Sequence, residues 1–232
     1  MANLLNTSRS NGIGTLREGS LHAQLKQWYR IPGDQLEVPI DGYIIDIVRE
    51  SLLIEIQTQN FSALKEKLAE LIESYNVLLV YPIIADKWII YKDEGGSTIR
   101  KRLSPKHCTV FDVFNEMVYI PKVFTHSNLS IEVLMVEIEE VRQRTGKKTE
   151  TANGGEITNK RLLNVKKGMS FRTPEDLLAQ LPRDIEVPFT NAELSETLKQ
   201  SINLAQKISY TLRKMGTLQL IGKKGNAHLY SF

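Results

Sequence analysis

The chain has 232 residues, a net charge of +3 and 41% hydrophobic residues, enough for a packed core in one large domain or two small ones. Its single cysteine, Cys108, excludes an internal disulfide and fits a reducing compartment. The opening MANLLNTSRSNGIG lacks the apolar core of a signal peptide, and no run approaches the roughly 18 apolar residues of a membrane span, so the expectation is a cytoplasmic protein without a membrane partner.

Residues 1–14 are polar and read as a flexible tail. A helix is expected over 16–29, with Leu21, Leu25 and Trp28 on one side and Glu18 in its first turn, where a negative charge favours the helix dipole. After the turn Ile31-Pro32-Gly33-Asp34, residues 36–40 form a first strand, with Pro39 best placed at a sheet edge. Residues 43–48 and 52–57 are almost continuously apolar, the pattern of strands covered on both faces, and the short link between them predicts a hairpin. A helix over 61–75 follows, with Phe61, Leu64, Leu68 and Ile72 inward, and then two strands, 77–84 and 87–92. Strand, helix and strand in this order make a mixed α/β sheet with a parallel crossover.

The two central strands carry acids, Asp46 and Glu55, and the second adds Gln57. Burying an ionised carboxylate without a partner costs several kcal/mol, so a chain with two such acids supplies a cation for them. Alternation puts Glu55 and Gln57 on one face, and the hairpin brings Asp46 near Glu55. Lys65 falls between Leu64 and Leu68 in the sheet-facing stripe, where it either snorkels outward or points at the acids. Two carboxylates, an amide and a lysine converging at a sheet edge hold a hard divalent cation and orient a water.

This arrangement over residues 15–92 resembles the PD-(D/E)xK phosphodiesterase superfamily of restriction-type endonucleases and archaeal Holliday junction resolvases. The resemblance implies a restriction-endonuclease-like mixed sheet flanked by helices. It also implies Mg2+ or Mn2+ held by Asp46, Glu55 and Glu18, the last matching an acid on the preceding helix. Gln57 stands in the place of the family's strand lysine, where it would position water or phosphate. Lys65 would then supply the cation from the helix. No proline precedes Asp46, a common departure in that family.

Beyond residue 92 the turn Glu94-Gly95-Gly96-Ser97 leads into IRKRLSPK, a solvated basic loop in which Lys101 and Arg102 are candidate phosphate contacts. A helix is expected over 109–120, ended by Pro121. Residues 130–141 read as a strand, although their glutamates also permit a helix. Residues 145–158 are Gly/Thr-rich and read as a flexible loop, 161–165 as a strand, and 173–180 as a short helix opened by Pro174. The four histidines lack the paired spacing of a zinc site, and neither G-x-S-x-G nor a P-loop motif occurs.

Residues 185–232 read as a separate module. Thr190-Asn191-Ala192-Glu193 is a capping box for a helix to about 200, Ser201 caps a second helix over 202–215, and Gly216 stops it. Two short strands, 217–221 and 227–230, flank GKKGN. The order resembles a winged helix, which implies that Asn203, Gln206, Lys207, Tyr210 and Lys214 face DNA and that Lys223 and Lys224 at the wing meet phosphate. Charge follows the same division: residues 1–100 balance to −3 and residues 145–232 to +6. The organisation expected is thus a tail (1–14), a nuclease-like core (15–100), an α/β extension (101–184) and a winged helix (185–232). Three functions stay open: a metal-dependent endonuclease acting on double-stranded DNA, a catalytically inactive nuclease-like DNA-binding regulator, and an interaction subunit of a larger complex in which both modules contact protein. Either of the first two could work as a homodimer or within a larger complex.

Overall fold

The computed structural model describes residues 15–143 and 155–232, with side chains from residue 21 onward. The expected tail therefore lies outside the described residues, as does the expected loop up to residue 154. Helix α1 (Thr15–Tyr29) precedes a meander of three antiparallel strands, β1 (Gln35–Ile40), β2 (Tyr43–Arg49) and β3 (Leu52–Ile56). Asp41 and Gly42 join β1 to β2 with φ of 49° and 83°. That pair of left-handed residues matches the right-handed twist of the flanking strands. Helix α2 (Phe61–Leu71) then crosses over, and β4 (Asn76–Lys92) pairs parallel with β3.

Strand β4 is one continuous strand where the sequence predicts two. The polar step at Asp86 is absorbed by a register irregularity between Ile84 and Asp86 rather than by a break. Residues 98–103, expected as a loop, form β5 (Thr98–Leu103), an exposed edge strand antiparallel to the end of β4. The helix expected over 109–120 is a 3-10 turn, Val110–Val113, followed by the short helix α3 (Phe114–Met117). Strand β6 (Leu129–Gln143) pairs parallel with β4, and β7 (Glu156–Phe171) pairs antiparallel with β6. The expected extension thus completes the same sheet, in the order β1-β2-β3-β4-β6-β7 with β5 beside β4.

The result is a mixed α/β fold with a large mixed sheet flanked by helices. One face packs Ile45, Leu53, Val77, Leu79 and Val133 against Phe61, Leu64 and Leu68 of α2. The other packs Ile47, Ile54, Ile56 and Val80 against Leu21 and Leu25 of α1. After α4 (Pro174–Leu178), helices α5 (Asn191–Leu198) and α6 (Ile202–Met215) and the hairpin β8 (Gln219–Lys224) and β9 (Ala227–Ser231) complete the chain. Leu194, Leu198, Leu204, Ile208 and Leu212 continue the α2-side core without interruption. Among the described residues, no helix is long and apolar enough to cross a membrane.

Candidate functional site

Asp46 sits where β2 stops pairing regularly. Its ladder with β3 ends at Ile47–Ile54, and its ladder with β1 passes from Leu36–Ile47 to Val38–Ile45. Residues two apart on a regular strand share a face. Ile45 nevertheless joins the α2-side core and Ile47 the α1-side core, so the alternation breaks at Asp46. Glu37, opposite the break, takes a left-handed φ of 54°.

At this parting of strands the Asp46 Oδ2 accepts the Ile56 backbone N–H at 3.0 Å and lies 2.9 Å from His22 Nε2. Its Oδ1 accepts Lys26 Nζ at 3.2 Å. Lys26 donates again to Glu37 Oε1, at 3.0 Å. Burial opposes ionisation of Asp46, but the His22 contact, the Ile56 N–H and the Lys26 charge outweigh it and hold the carboxyl below its usual range.

Glu55 lies across from Asp46 and takes its cation from the opposite layer. Its Oε1 accepts Lys67 Nζ at 2.7 Å, and the same ammonium donates to the Ile44 carbonyl at 2.7 Å. Burial pushes the Glu55 carboxyl above its usual range despite Lys67, and the Asp46 charge adds to that push. The Asp46 backbone also acts on the Glu55 carboxyl, favouring its ionised form, so the two acids are close neighbours.

Two expected site residues lie elsewhere. Lys65 is exposed on α2, and Lys67 is the lysine that reaches the acids. The helix centres Phe61, Leu64, Leu68 and Leu71 on the core. Lys65 and Lys67 therefore flank that stripe on opposite sides, and only the Lys67 side borders β2. Gln57 turns away, its amide donating to the backbone carbonyls of Gln59 and Asn60 in the turn before α2. Glu18 lies in α1 one turn before His22, its side chain outside those described. Sequence reasoning missed His22, Lys26 and Glu37, although the four-residue spacing of Glu18, His22 and Lys26 lines them up along α1.

Among the described residues, no group of three or more His, Cys, Asp and Glu side chains could hold a metal ion. Magnesium does not require one, because it takes one or two carboxylates and completes its shell with phosphate and water. The Lys26 and Lys67 ammonium groups already stand on Asp46 and Glu55 as substitute cations. Asp46 and Glu55 are the neighbouring carboxylates that would have to serve on those terms.

The basic residues divide into outward-facing and internally engaged ones. Helix α6 buries Leu204, Ala205, Ile208, Leu212 and Met215 and exposes Asn203, Gln206, Tyr210 and Lys214. Arg213, not anticipated, joins that exposed face. Lys207 is half-buried and donates to Asn115 Oδ1 at 2.8 Å, which turns it from the outer face toward α3. At the β8–β9 hairpin Lys223 is exposed, and Lys224 pairs with Glu193 at 3.0 Å. On β5, Lys101 stands over the Trp88 ring at 5.0 Å, and Arg102 Nη2 lies 3.4 Å from the Tyr91 hydroxyl.

A family model described as a domain of unknown function (DUF8091) matches residues 19–172, from within α1 to just past β7. A protein of Treponema pallidum (strain Nichols), described as uncharacterized, is 27% identical over 219 residues, covering 94% of this chain and 86% of that one. No solved structure matches the chain.

Proposed function

The chain belongs to the family of the domain of unknown function DUF8091, and we propose that it is a metal-dependent DNA endonuclease with a PD-(D/E)xK-like core and a C-terminal winged helix. The observation that carries this reading is the ion pair of Lys67 with Glu55, beside Asp46, where β2 and β3 part. It returns a lysine to a motif whose strand position holds Gln57. The order helix, antiparallel hairpin, helix, parallel strand supports the same reading.

Asp46 and Glu55 would hold Mg2+ or Mn2+, with Glu18 of α1 as a further carboxylate. The ion would lower the pKa of a bound water and neutralise charge on the phosphate. Lys67 keeps a positive charge beside the scissile phosphate and takes the role expected of Lys65. Gln57 shapes the turn into α2. The exposed face of α6, with Asn203, Gln206, Tyr210, Arg213 and Lys214, would enter the major groove, and Lys223 would meet phosphate at the wing. Lys101 and Arg102 on β5 would add backbone contacts.

The test incubates the full chain with plasmid and single-stranded DNA in Mg2+, Mn2+ or chelator, beside Asp46→Ala, Glu55→Ala, Lys67→Ala and Lys65→Ala. Metal-dependent cleavage is expected, lost in the first three variants and retained in the last. Full activity in Asp46→Ala or Glu55→Ala would remove the assignment.

A second reading is a DNA-binding protein whose nuclease-like core does not turn over. It is favoured by the ion pairs that already engage both acids, Lys26 with His22 on Asp46 and Lys67 on Glu55. Salt-sensitive DNA binding with no cleavage in any metal is its expected result.

A further inference from the structure

We infer that Lys26 is a tethered cation that a divalent ion must displace from Asp46, so that metal entry depends on giving this ammonium another partner. The inference rests on the nuclease reading above. Lys26 is held in place: its side chain is 11% exposed, and the preceding Leu25 is fully buried against the sheet. Its ammonium bridges Asp46 Oδ1 at 3.2 Å and Glu37 Oε1 at 3.0 Å.

The two Asp46 oxygens are not equivalent. Oδ2 is fixed by the Ile56 N–H and by His22, whereas among the described residues Oδ1 is held by Lys26. A buried carboxylate left without any cation is strongly destabilising, so in the free protein Lys26 supplies the charge. Oδ1 is then the oxygen at which exchange can occur. The displaced ammonium does not lose all its partners. Glu37 is 69% exposed and holds Lys26 from the solvent side. The left-handed backbone of Glu37, opposite the break at Asp46, marks a residue set there against its conformational preference. An incoming phosphate is a second anion for the released ammonium, so DNA and metal would assist one another at this site.

The test measures Mn2+ binding to the full chain without DNA, by loss of the free-ion electron paramagnetic signal, in the wild type and in Lys26→Met, Lys26→Arg, Glu37→Gln and Asp46→Asn. Thermal melts establish which variants are folded. Lys26→Met is expected to bind Mn2+ at least ~10-fold more tightly than the wild type. Lys26→Arg should stay at the wild-type level and Asp46→Asn should bind more weakly than either. Glu37→Gln should weaken binding, because the displaced ammonium loses its second partner; it decides the matter if Lys26→Met does not fold. Unchanged Mn2+ affinity in Lys26→Met, or in Glu37→Gln where Lys26→Met is unfolded, overturns the inference. A parallel titration with a short duplex separates the two levels of argument. If the wild type on DNA takes up Mn2+ through Asp46 while Lys26→Met alone binds no better, the role of Lys26 is wrong and the nuclease reading stands. If no form takes up Mn2+ with or without duplex, both fall.

Discussion

Lys67 and Glu55 have side chains 15% and 7% exposed, so each depends on the other for its charge. Removing the lysine alone leaves a carboxylate buried without a cation, a change that costs about 3–5 kcal/mol when the carboxylate is ionised. The sign of the pH dependence follows from Glu55. Burial already holds its folded-state carboxyl above the usual range. The protonated form is therefore favoured by folding, and the stability this contributes is lost as pH rises through the folded pKa. Lys67→Met removes the counter-charge and raises that pKa further. Urea unfolding at pH 8 should show a loss of several kcal/mol for Lys67→Met, with a smaller loss at pH 5. Lys65→Met, on the exposed side of α2, should stay within about 0.5 kcal/mol at both. Equal effects of the two substitutions would remove Lys67 from the site. Asp46 behaves in the opposite sense. Its carboxyl is held below the usual range, so its stabilisation is present above the ordinary carboxylate pKa and fades as pH falls through the lowered one.

Helix α2 brings Lys67 to the acids, and its start is secured from outside the helix. Asn60 at the N-cap has a left-handed φ of 65° and makes no side-chain cap bond. Glu116 of α3 supplies the missing acceptor, taking the Phe61 N–H at 2.8 Å. Loss of a cap costs about 1 kcal/mol, so Glu116→Ala should lower the unfolding free energy by that amount in a denaturant titration. Glu116→Gln, which keeps an acceptor, should lose less. Neither the cap nor the Lys67 contact could be read along the chain, because both depend on how distant elements dock. Lys65 and Lys67 flank the same apolar stripe, and only the position of β2 distinguishes them. Lys26 and His22 reach an acid 20 and 24 residues away. What was legible is what burial writes into sequence. The apolar runs of β2, β3 and β4, the stripe of α2, and the capping box and N-cap serine of the last module marked those elements, and acids inside apolar strands marked Asp46 and Glu55. Strand β5 was missed because it is exposed nearly throughout and has no apolar alternation to betray it. The ambiguity of β6 came from its glutamates, which the structure keeps at low exposure by pairing Glu140 with Lys87 and Arg142, and Glu139 with Arg161.

The whole molecule couples an acidic first hundred residues to a basic C-terminal segment through one core. Helix α6 turns its apolar side into that core, and Asn115 of α3, next to the residue that caps α2, accepts the Lys207 ammonium. This divides the lysines of α6 by task. Lys214 and Arg213 are exposed, Lys214 over the Tyr210 ring at 5.8 Å, and are the cations that would meet phosphate in the proposed complex, whereas Lys207 is half-buried against α3. Each phosphate neutralised on duplex DNA contributes about 0.9 to the slope of log K against log salt, through release of condensed counterions. Lys214→Ala and Arg213→Ala should therefore each flatten that slope by about 0.9 in fluorescence-anisotropy titrations over a range of salt. Lys207→Ala should leave the slope unchanged. Its effect should instead appear in unfolding, as the loss of a hydrogen bond from a charged donor, about 1.5–3 kcal/mol at most and less for its partial exposure. If Lys207→Ala flattens the slope as much as Lys214→Ala does, the Lys207 ammonium leaves Asn115 when DNA binds, and the contact to α3 becomes part of the DNA response. If none of the three changes the slope, α6 is not the DNA-facing helix.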